Sequence, residues 1–166
     1  GVDVANQISQ FASNNGTKFH KIVEDYVNNL DVDYDTEKYE VALKLFNQFK
    51  ALLDDVNNIH YQECALYSEQ LGIAGRVDCI AEYKGKISVI DFKTSTKEKK
   101  EEWVENYFIQ GSAYCEMYEE RFSQTIDQVV ILIVTEDGAV QTFIKDKKDY
   151  LPLLEMAIKD FNETNN

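Results

Sequence analysis

The chain has 166 residues, of which 44% are hydrophobic and 28% are charged, a composition typical of globular domains. It carries 17 basic and 30 acidic side chains, and the resulting formal net charge of −13 argues against a protein that coats nucleic acid by neutralising phosphates. No apolar run approaches the roughly 20 residues of a membrane-spanning helix, and the N-terminal sequence does not have the pattern of a signal peptide. We therefore expect one globular domain over residues 1–166 with no membrane contact.

The apolar residues in the first third of the chain recur at the spacing of a helix. The predicted helices cover residues 5–12, 16–30 and 36–56. Thr36 is the candidate N-cap of the third helix. β-Branched and aromatic residues then become frequent, which predicts strands. The predicted strands cover residues 60–69, 75–83 and 86–93.

The second half of the chain alternates between helical and strand patterns. The predicted elements are a helix over 101–122, strands over 127–136 and 139–146, and a closing helix over 149–163. Asp137-Gly138 is a hairpin turn signal between the two strands, and Pro152 fits the first turn of the closing helix.

This order of elements predicts an α/β or α+β fold, with a central mixed sheet of about five strands flanked by helices. A helical N-terminal part over residues 1–57 and a sheet-containing core over 58–166 would form a single domain. The three cysteines, Cys64, Cys79 and Cys115, are far apart and odd in number, which argues against a disulfide framework and for a reducing compartment.

The stretch SVIDFKTST, residues 88–96, places Asp91 and Lys93 on the same side of a strand, because strand side chains alternate. If the preceding hairpin turns at residues 84–85, Asp78 lies directly opposite Asp91. Like charges opposed in this way destabilise a sheet unless a cation lies between them, and Mg²⁺ is held by one or two carboxylates.

Two interpretations of this hairpin are about equally supported by its residues alone. One is a metal site, and the other is a pair of surface aspartates that form salt bridges with Arg76 and Lys93. A bulge in the hairpin loop would shift the pairing by one residue and separate the two aspartates.

Two helices carry further candidates. His20 and Glu24 are four residues apart and share a helix face, which is partly apolar. Tyr107, Gln110 and Tyr114 share a face of the later helix, where spacing alone favours ordinary amphipathic packing. For Trp103, just before them, core packing is favoured over stacking on bases.

Four motifs in this order, GTKFH with Glu24, GRVD, VIDFKTS and QGSAY, resemble the RecB-type branch of the PD-(D/E)XK nuclease superfamily. Within that branch the likeness is to the mitochondrial genome maintenance exonucleases and related bacteriophage exonucleases. It runs from the helix of His20 through Tyr114 and, more weakly, across the last strands. The resemblance implies a restriction-endonuclease-like core.

The resemblance also implies roles for individual residues. Metal ligands would be His20, Asp78, Asp91 and the main-chain carbonyl of Phe92. Lys93 would position the attacking water, and Glu24 would be an auxiliary carboxylate of the catalytic group. Support of the site or contact with nucleic acid would fall to Gln110, Tyr114, Thr94, Ser95 and Lys97.

Two departures from the family pattern stand out. Val77 takes the place of the superfamily's proline, as is common in this branch. The cysteines that hold an iron–sulfur cluster in some relatives are missing, so we expect no such cluster.

The function implied is that of a Mg²⁺- or Mn²⁺-dependent deoxyribonuclease that hydrolyses phosphodiester bonds. We expect an exonuclease acting on single-stranded DNA with a free end, or on frayed ends, in DNA replication, repair or recombination. The alternatives are an endonuclease of the restriction or junction-cutting type and a non-catalytic DNA-binding module. The expected location is the cytoplasm of a bacterial or phage-infected cell, and the sequence indicates no protein partner.

Overall fold

The computed structural model describes residues 2–165, except for the side chains of residues 2, 8, 9 and 11. The helices are α1 (Val2–Val27), α2 (Glu40–Phe49), α3 (Glu105–Phe122) and α4 (Leu151–Asn165). The strands are β1 (Val56–Ser68), β2 (Ile73–Tyr83), β3 (Lys86–Ser95), β4 (Gln128–Thr135) and β5 (Val140–Asp146). Short 3₁₀ segments cover Lys50–Asp55, Glu101–Val104 and Lys147–Asp149. Among the described helices, none combines the length and the apolar character needed to cross a membrane.

The described chain divides into two compact units. The first contains the residues up to Ala51, together with Lys93–Glu98 and Ile133–Val140. The second contains Leu52–Phe92, Lys99–Leu132 and the residues from Gln141 onward. The boundary at residue 57 and the single nuclease domain over 1–166 stay predictions.

The five strands form one sheet in the order β1-β2-β3-β4-β5. β1 pairs with β2, and β2 with β3, in antiparallel fashion. β3 reaches its neighbour β4 through α3, the kind of connection that parallel neighbours require. β4 is buried from Val129 to Thr135, so helices or loops cover both of its faces. The mixed five-stranded sheet flanked by helices, and with it the α+β fold class, is confirmed.

The β2–β3 hairpin has the predicted register. Lys84 and Gly85 both have positive φ, at 50° and 82°, as the two central residues of a type I′ turn require. The turn pairs Cys79 with Ile90 and Ile80 with Val89. The next residues of the two strands are Asp78 and Asp91, so the local turn chemistry brings the two carboxylates to adjacent positions.

Two predictions about the N-terminal helices are wrong. The first two predicted helices form the single helix α1, and the Thr17 hydroxyl bonds the carbonyl of Ser13 at 3.1 Å across the expected break. Thr36 is not a helix cap, because α2 begins only at Glu40. The Asp35 carboxylate instead accepts the N–H groups of the next turn, residues 37 and 38, at 3.0 and 3.2 Å.

The first unit has a core between α1 and α2. Phe19 packs edge-on against Phe49, with ring centroids 5.0 Å apart. Asp25 is buried beside this core, where Lys21 Nζ donates to it at 2.8 Å and the Tyr34 hydroxyl at 2.6 Å. These bonds satisfy the buried carboxylate and tie the loop after α1 to the helix.

In the second unit, α3 approaches β4 at Gly111. A Cβ on that residue would lie 2.3 Å from Val129 Cγ1, closer than real atoms approach. The glycine of QGSAY therefore sets how closely this helix packs on the central strand.

Candidate active site

Asp78 of β2 and Asp91 of β3 form a hydrogen-bonded carboxyl pair. Both side chains are half-buried. Asp78 Oδ2 also accepts the main-chain N–H of Phe92 at 2.8 Å, and Phe92 itself is 3% exposed. β2 and β3 therefore hold the two half-buried carboxyl groups so that they face each other.

Burial raises the pKa of the Asp78 carboxyl far above its ordinary value of 3.8, and the hydrogen bond and charge of Asp91 raise that pKa further. The N–H of Phe92 lowers the Asp78 pKa, but by less than these effects raise it. In the metal-free protein the pair therefore retains a proton at neutral pH. A cation placed between the two groups would replace that proton.

Glu63 is a third carboxylate at this position, and the motifs did not indicate it. It lies opposite Asp78 on β1, because Gln62 pairs with Cys79 and Cys64 pairs with Val77. One of its carboxylate oxygens is within 4.8 Å of one from Asp78. The Glu63 backbone has a φ of 49°, a left-handed conformation that is rare for a residue with a side chain and that clusters at functional sites.

Glu63 also forms an ion pair with the guanidinium group of Arg76. Arg76 Nε bonds Glu63 Oε2 at 2.8 Å, although the Arg76 side chain is largely exposed. Only the register of β1 against β2 could have revealed Glu63, and no turn signal comparable to Lys84-Gly85 fixes that register in the sequence.

These oxygen atoms suit a hard divalent cation. Mg²⁺ and Mn²⁺ prefer carboxylate and carbonyl oxygens, and the facing carboxyl groups of Asp78 and Asp91 require a proton or a cation between them. The residues present in the middle of β2 and β3 therefore fit the metal that the motifs imply.

Lys93 follows Asp91 by two residues on β3, so the two side chains leave the same face of the strand. Lys93 is half-buried. The Thr94 hydroxyl lies near Gly16 of α1, where a Cβ would be 3.6 Å from Thr94 Oγ1. Ser95 Oγ donates to the carbonyl of Lys97 at 2.6 Å, so this hydroxyl stabilises the turn in which the exposed Lys97 lies.

Gln110 and Tyr114 of α3 contact each other, and Tyr114 contacts the GRVD motif. Gln110 Nε2 donates to the Tyr114 hydroxyl at 2.9 Å. The Tyr114 ring fills the space that Gly75 of the GRVD motif leaves, since a Cβ on Gly75 would lie 2.6 Å from Tyr114 Cε1. Two motifs that are distant in sequence are thus in contact, three residues from Asp78.

His20 and Glu24 lie one turn apart on α1, in the first unit, and both are half-buried. The His20 ring lies edge-on to Phe19, with centroids 5.8 Å apart. Their roles as metal ligand and auxiliary carboxylate stay predictions.

The core packing predicted for Trp103 is wrong, because this residue is 56% exposed. The neighbouring Val104 occupies the buried position instead.

A family model of the PD-(D/E)XK nuclease superfamily matches residues 36–164. The chain belongs to this superfamily. Nucleases of the PD-(D/E)XK type generally use divalent metal ions, in agreement with the oxygen-rich group at Asp78 and Asp91.

Among curated proteins, this PD-(D/E)XK chain is similar to mitochondrial genome maintenance exonuclease 1. The human protein is 32% identical over 84 residues, which are 51% of this chain and 24% of that protein. The Xenopus tropicalis protein is 36% identical over 84 residues, again 51% of this chain and 24% of that protein. The match therefore spans about a quarter of the length of each relative.

Among solved structures, the chain is similar to a crystal structure from Eubacterium rectale that is assigned as an exonuclease. The TM-score is 0.50 with 14% sequence identity, covering 75% of this chain and 52% of that chain. At this identity the likeness concerns the fold, and it agrees with the PD-(D/E)XK assignment.

Proposed function

We propose that this PD-(D/E)XK chain is a Mg²⁺- or Mn²⁺-dependent deoxyribonuclease, and specifically an exonuclease acting on single-stranded DNA with a free end or on frayed ends. The observation that carries the proposal is the hydrogen-bonded pair of Asp78 and Asp91, with Lys93 two residues further on the same strand. A structural salt bridge would not require two carboxyl groups to face each other at the cost of retaining a proton.

In this proposal the cation is held by Asp78, Asp91, the carbonyl of Phe92 and His20. When bound, it supplies Lewis acidity at the scissile phosphate and lowers the pKa of a bound water. Glu63 keeps the guanidinium group of Arg76 next to the carboxylates.

The ammonium of Lys93 orients the attacking water and stabilises the negative charge that develops on the phosphoryl oxygens. The water oxygen bonds to phosphorus and releases one proton, the bond from phosphorus to the leaving deoxyribose oxygen breaks, and that oxygen takes up one proton, so the step consumes one water molecule. Glu24 is the auxiliary carboxylate in this proposal.

The remaining predicted residues act on the substrate or on the site's geometry. Gln110 and Tyr114 keep the end of β2 in position through Gly75. Thr94, Ser95 and Lys97 lie on the segment that follows Lys93, where we propose that the DNA backbone passes. The biological setting we propose is DNA replication, repair or recombination in a bacterial or phage-infected cell.

The proposal is tested by cleavage of end-labelled linear single-stranded DNA in Mg²⁺ or Mn²⁺ against EDTA. We expect metal-dependent cleavage that Lys93→Ala reduces by about 100-fold or more, because it removes a charge used in the transition state. Lys159→Ala, a change of an exposed lysine on α4, is the control and retains activity. Equal rates for Lys93→Ala and the control would contradict the role of Lys93.

A circular single-stranded substrate separates the two modes of cutting. An exonuclease does not cut a circle without an end, whereas an endonuclease of the same fold does. Loss of the circle at the rate of the linear strand would replace the exonuclease proposal with the endonuclease alternative.

A further inference from the structure

Trp103 is an exposed aromatic side chain in a rigid setting. It is the only tryptophan of the chain, and 56% of it is exposed. The next residue, Val104, is fully buried and anchors the 3₁₀ segment that presents the tryptophan. Burying a tryptophan side chain lowers the free energy of the folded state, and Trp103 contributes little of this stabilisation because most of its ring is exposed.

The backbone before Trp103 is fixed to β5 by two links. The side-chain amide of Gln141 forms two hydrogen bonds with the main chain of Lys99. Its Oε1 accepts the Lys99 N–H at 2.8 Å, and its Nε2 donates to the Lys99 carbonyl at 2.9 Å. Lys145 forms an ion pair with Glu101. The segment that carries the ring is therefore ordered before any ligand binds, which reduces the entropy lost on binding.

The ammonium group of Lys100 lies close to the Trp103 ring. Lys100 Nζ lies 5.2 Å from the centroid of the Trp103 ring, and the N–H of Trp103 donates to the carbonyl of Lys100 at 2.9 Å. Lys145 compensates the charge of Glu101 nearby. An exposed flat ring with an ammonium group over one face offers a nucleotide both a stacking surface for the base and a partner for its phosphate.

We propose that Trp103 and Lys100 form a stacking site for one unpaired base of single-stranded nucleic acid, with a flanking phosphate beside Lys100. This proposal rests on the proposed function and names where that substrate binds. Trp103 is 12 residues beyond Asp91, so the chain allows a separation of at most about 40 Å from the carboxylates. The indole ring of Trp103 carries no acid, base or nucleophile for hydrolysis, so we assign this site to binding and not to the chemical step.

Because the chain has a single tryptophan, its fluorescence reports on this site directly. We would titrate the protein with oligodeoxythymidylate in EDTA, where no cleavage occurs, and follow binding separately by the anisotropy of a label on the oligonucleotide. We expect strong quenching of tryptophan fluorescence. An abasic strand of the same length, at the same salt concentration, should cause little quenching because it has no base to stack.

The variants separate stacking from a structural role. Trp103→Ala should raise the KM for single-stranded DNA about tenfold with kcat unchanged, and Trp103→Phe should restore most of the loss. Phe161→Ala removes another exposed aromatic, 66% exposed on α4, and should leave the KM unchanged. Unfolding temperatures should agree among all four proteins, because neither ring is buried.

Each alternative result is decisive. Binding without quenching, equal quenching by the abasic strand, or no binding at all would overturn the stacking site. A wild-type KM in Trp103→Ala would also overturn it, while metal-dependent cleavage would still support the nuclease proposal. Base-dependent quenching in a protein that cuts nothing would support the stacking site and refute the nuclease proposal.

Discussion

At the scale of single residues, Gly75 links the sequence of the GRVD motif to the geometry of the site. Its missing Cβ leaves room for the Tyr114 ring, three residues from Asp78. Gly75→Ala should displace that ring, destabilise the protein by about 1–3 kcal/mol and lower the cleavage rate. Thermal unfolding and single-turnover cleavage would measure the two effects.

Gly16→Ala is the matched control for this substitution. Gly16 lies inside α1, and an added Cβ would meet Thr94 Oγ1 at 3.6 Å, an ordinary contact. Alanine should there be neutral or stabilise the helix by up to about 1 kcal/mol. If both alanine variants behaved alike, the close approach of Tyr114 to Gly75 would not be important for the site.

The buried pair of carboxyl groups predicts a pH dependence that belongs to Asp78. Because its pKa is raised in the folded state, the folded protein holds a proton that the unfolded chain releases above pH 3.8. Stability in EDTA should therefore fall as the pH rises from about 4 through neutrality, by at most about 1.4 kcal/mol per pH unit from this group.

Asp78→Asn removes that dependence while keeping the shape of the side chain. The variant should gain stability relative to the natural protein as the pH rises from 5 to 8 in EDTA, as measured by urea unfolding. Asp160→Asn, on α4, is a control for the change in charge. Parallel stability curves for Asp78→Asn and the natural protein would show that Asp78 carries no raised pKa.

At the scale of elements, Lys147 holds the second half of α3 to the turn before α4. It is 8% exposed, and its Nζ contacts Glu116 at 3.2 Å, Glu119 at 3.4 Å and Asp127 at 3.7 Å. Lys147→Met should destabilise the protein by about 2 kcal/mol, less than the roughly 3–5 kcal/mol of a fully buried pair, since the carboxylates are partly exposed.

Lys148→Met is the control for Lys147, because Lys148 is exposed and its N–H, not its side chain, bonds Asp146. Chemical unfolding should show little change for this variant. An equal loss in both variants would indicate that the carboxylates around Lys147 do not need its charge.

The elements that were predictable are those decided by local chemistry. The Lys84-Gly85 turn requires two positive φ angles and thereby sets the register that brings Asp78 beside Asp91. Thr36 is not a cap because α2 begins only at Glu40, and the turn before it is stabilised by the Asp35 carboxylate. Glu63 was not predictable, since no turn signal like Lys84-Gly85 sets the register of β1 against β2, and the backbone of Glu63 is left-handed.

At the scale of the whole molecule, the net charge of −13 repels DNA. A divalent cation bound at the carboxylates would reduce this repulsion at the site. The stretch KTSTKEKK, residues 93–100, reverses the sign locally, with four lysines and one glutamate, +4 − 1 = +3. The exposed lysines of this stretch, Lys97 and Lys100, are screened by salt, so the proposed affinity for DNA should fall as the ionic strength rises.

Binding of a divalent cation should stabilise the whole fold, because the unfolded chain does not bring Asp78 and Asp91 together. At 100 times the dissociation constant the gain is about 2.7 kcal/mol, which raises the Tm of a chain of this size by about 5–10 °C. Differential scanning calorimetry with Mn²⁺ would measure the shift, and KCl at equal ionic strength would separate it from the screening of the −13 net charge. The shift should be lost in Asp91→Asn and kept in Asp160→Asn. An equal rise in Tm with KCl, or a full rise in Asp91→Asn, would mean that the cation does not bind at these carboxylates.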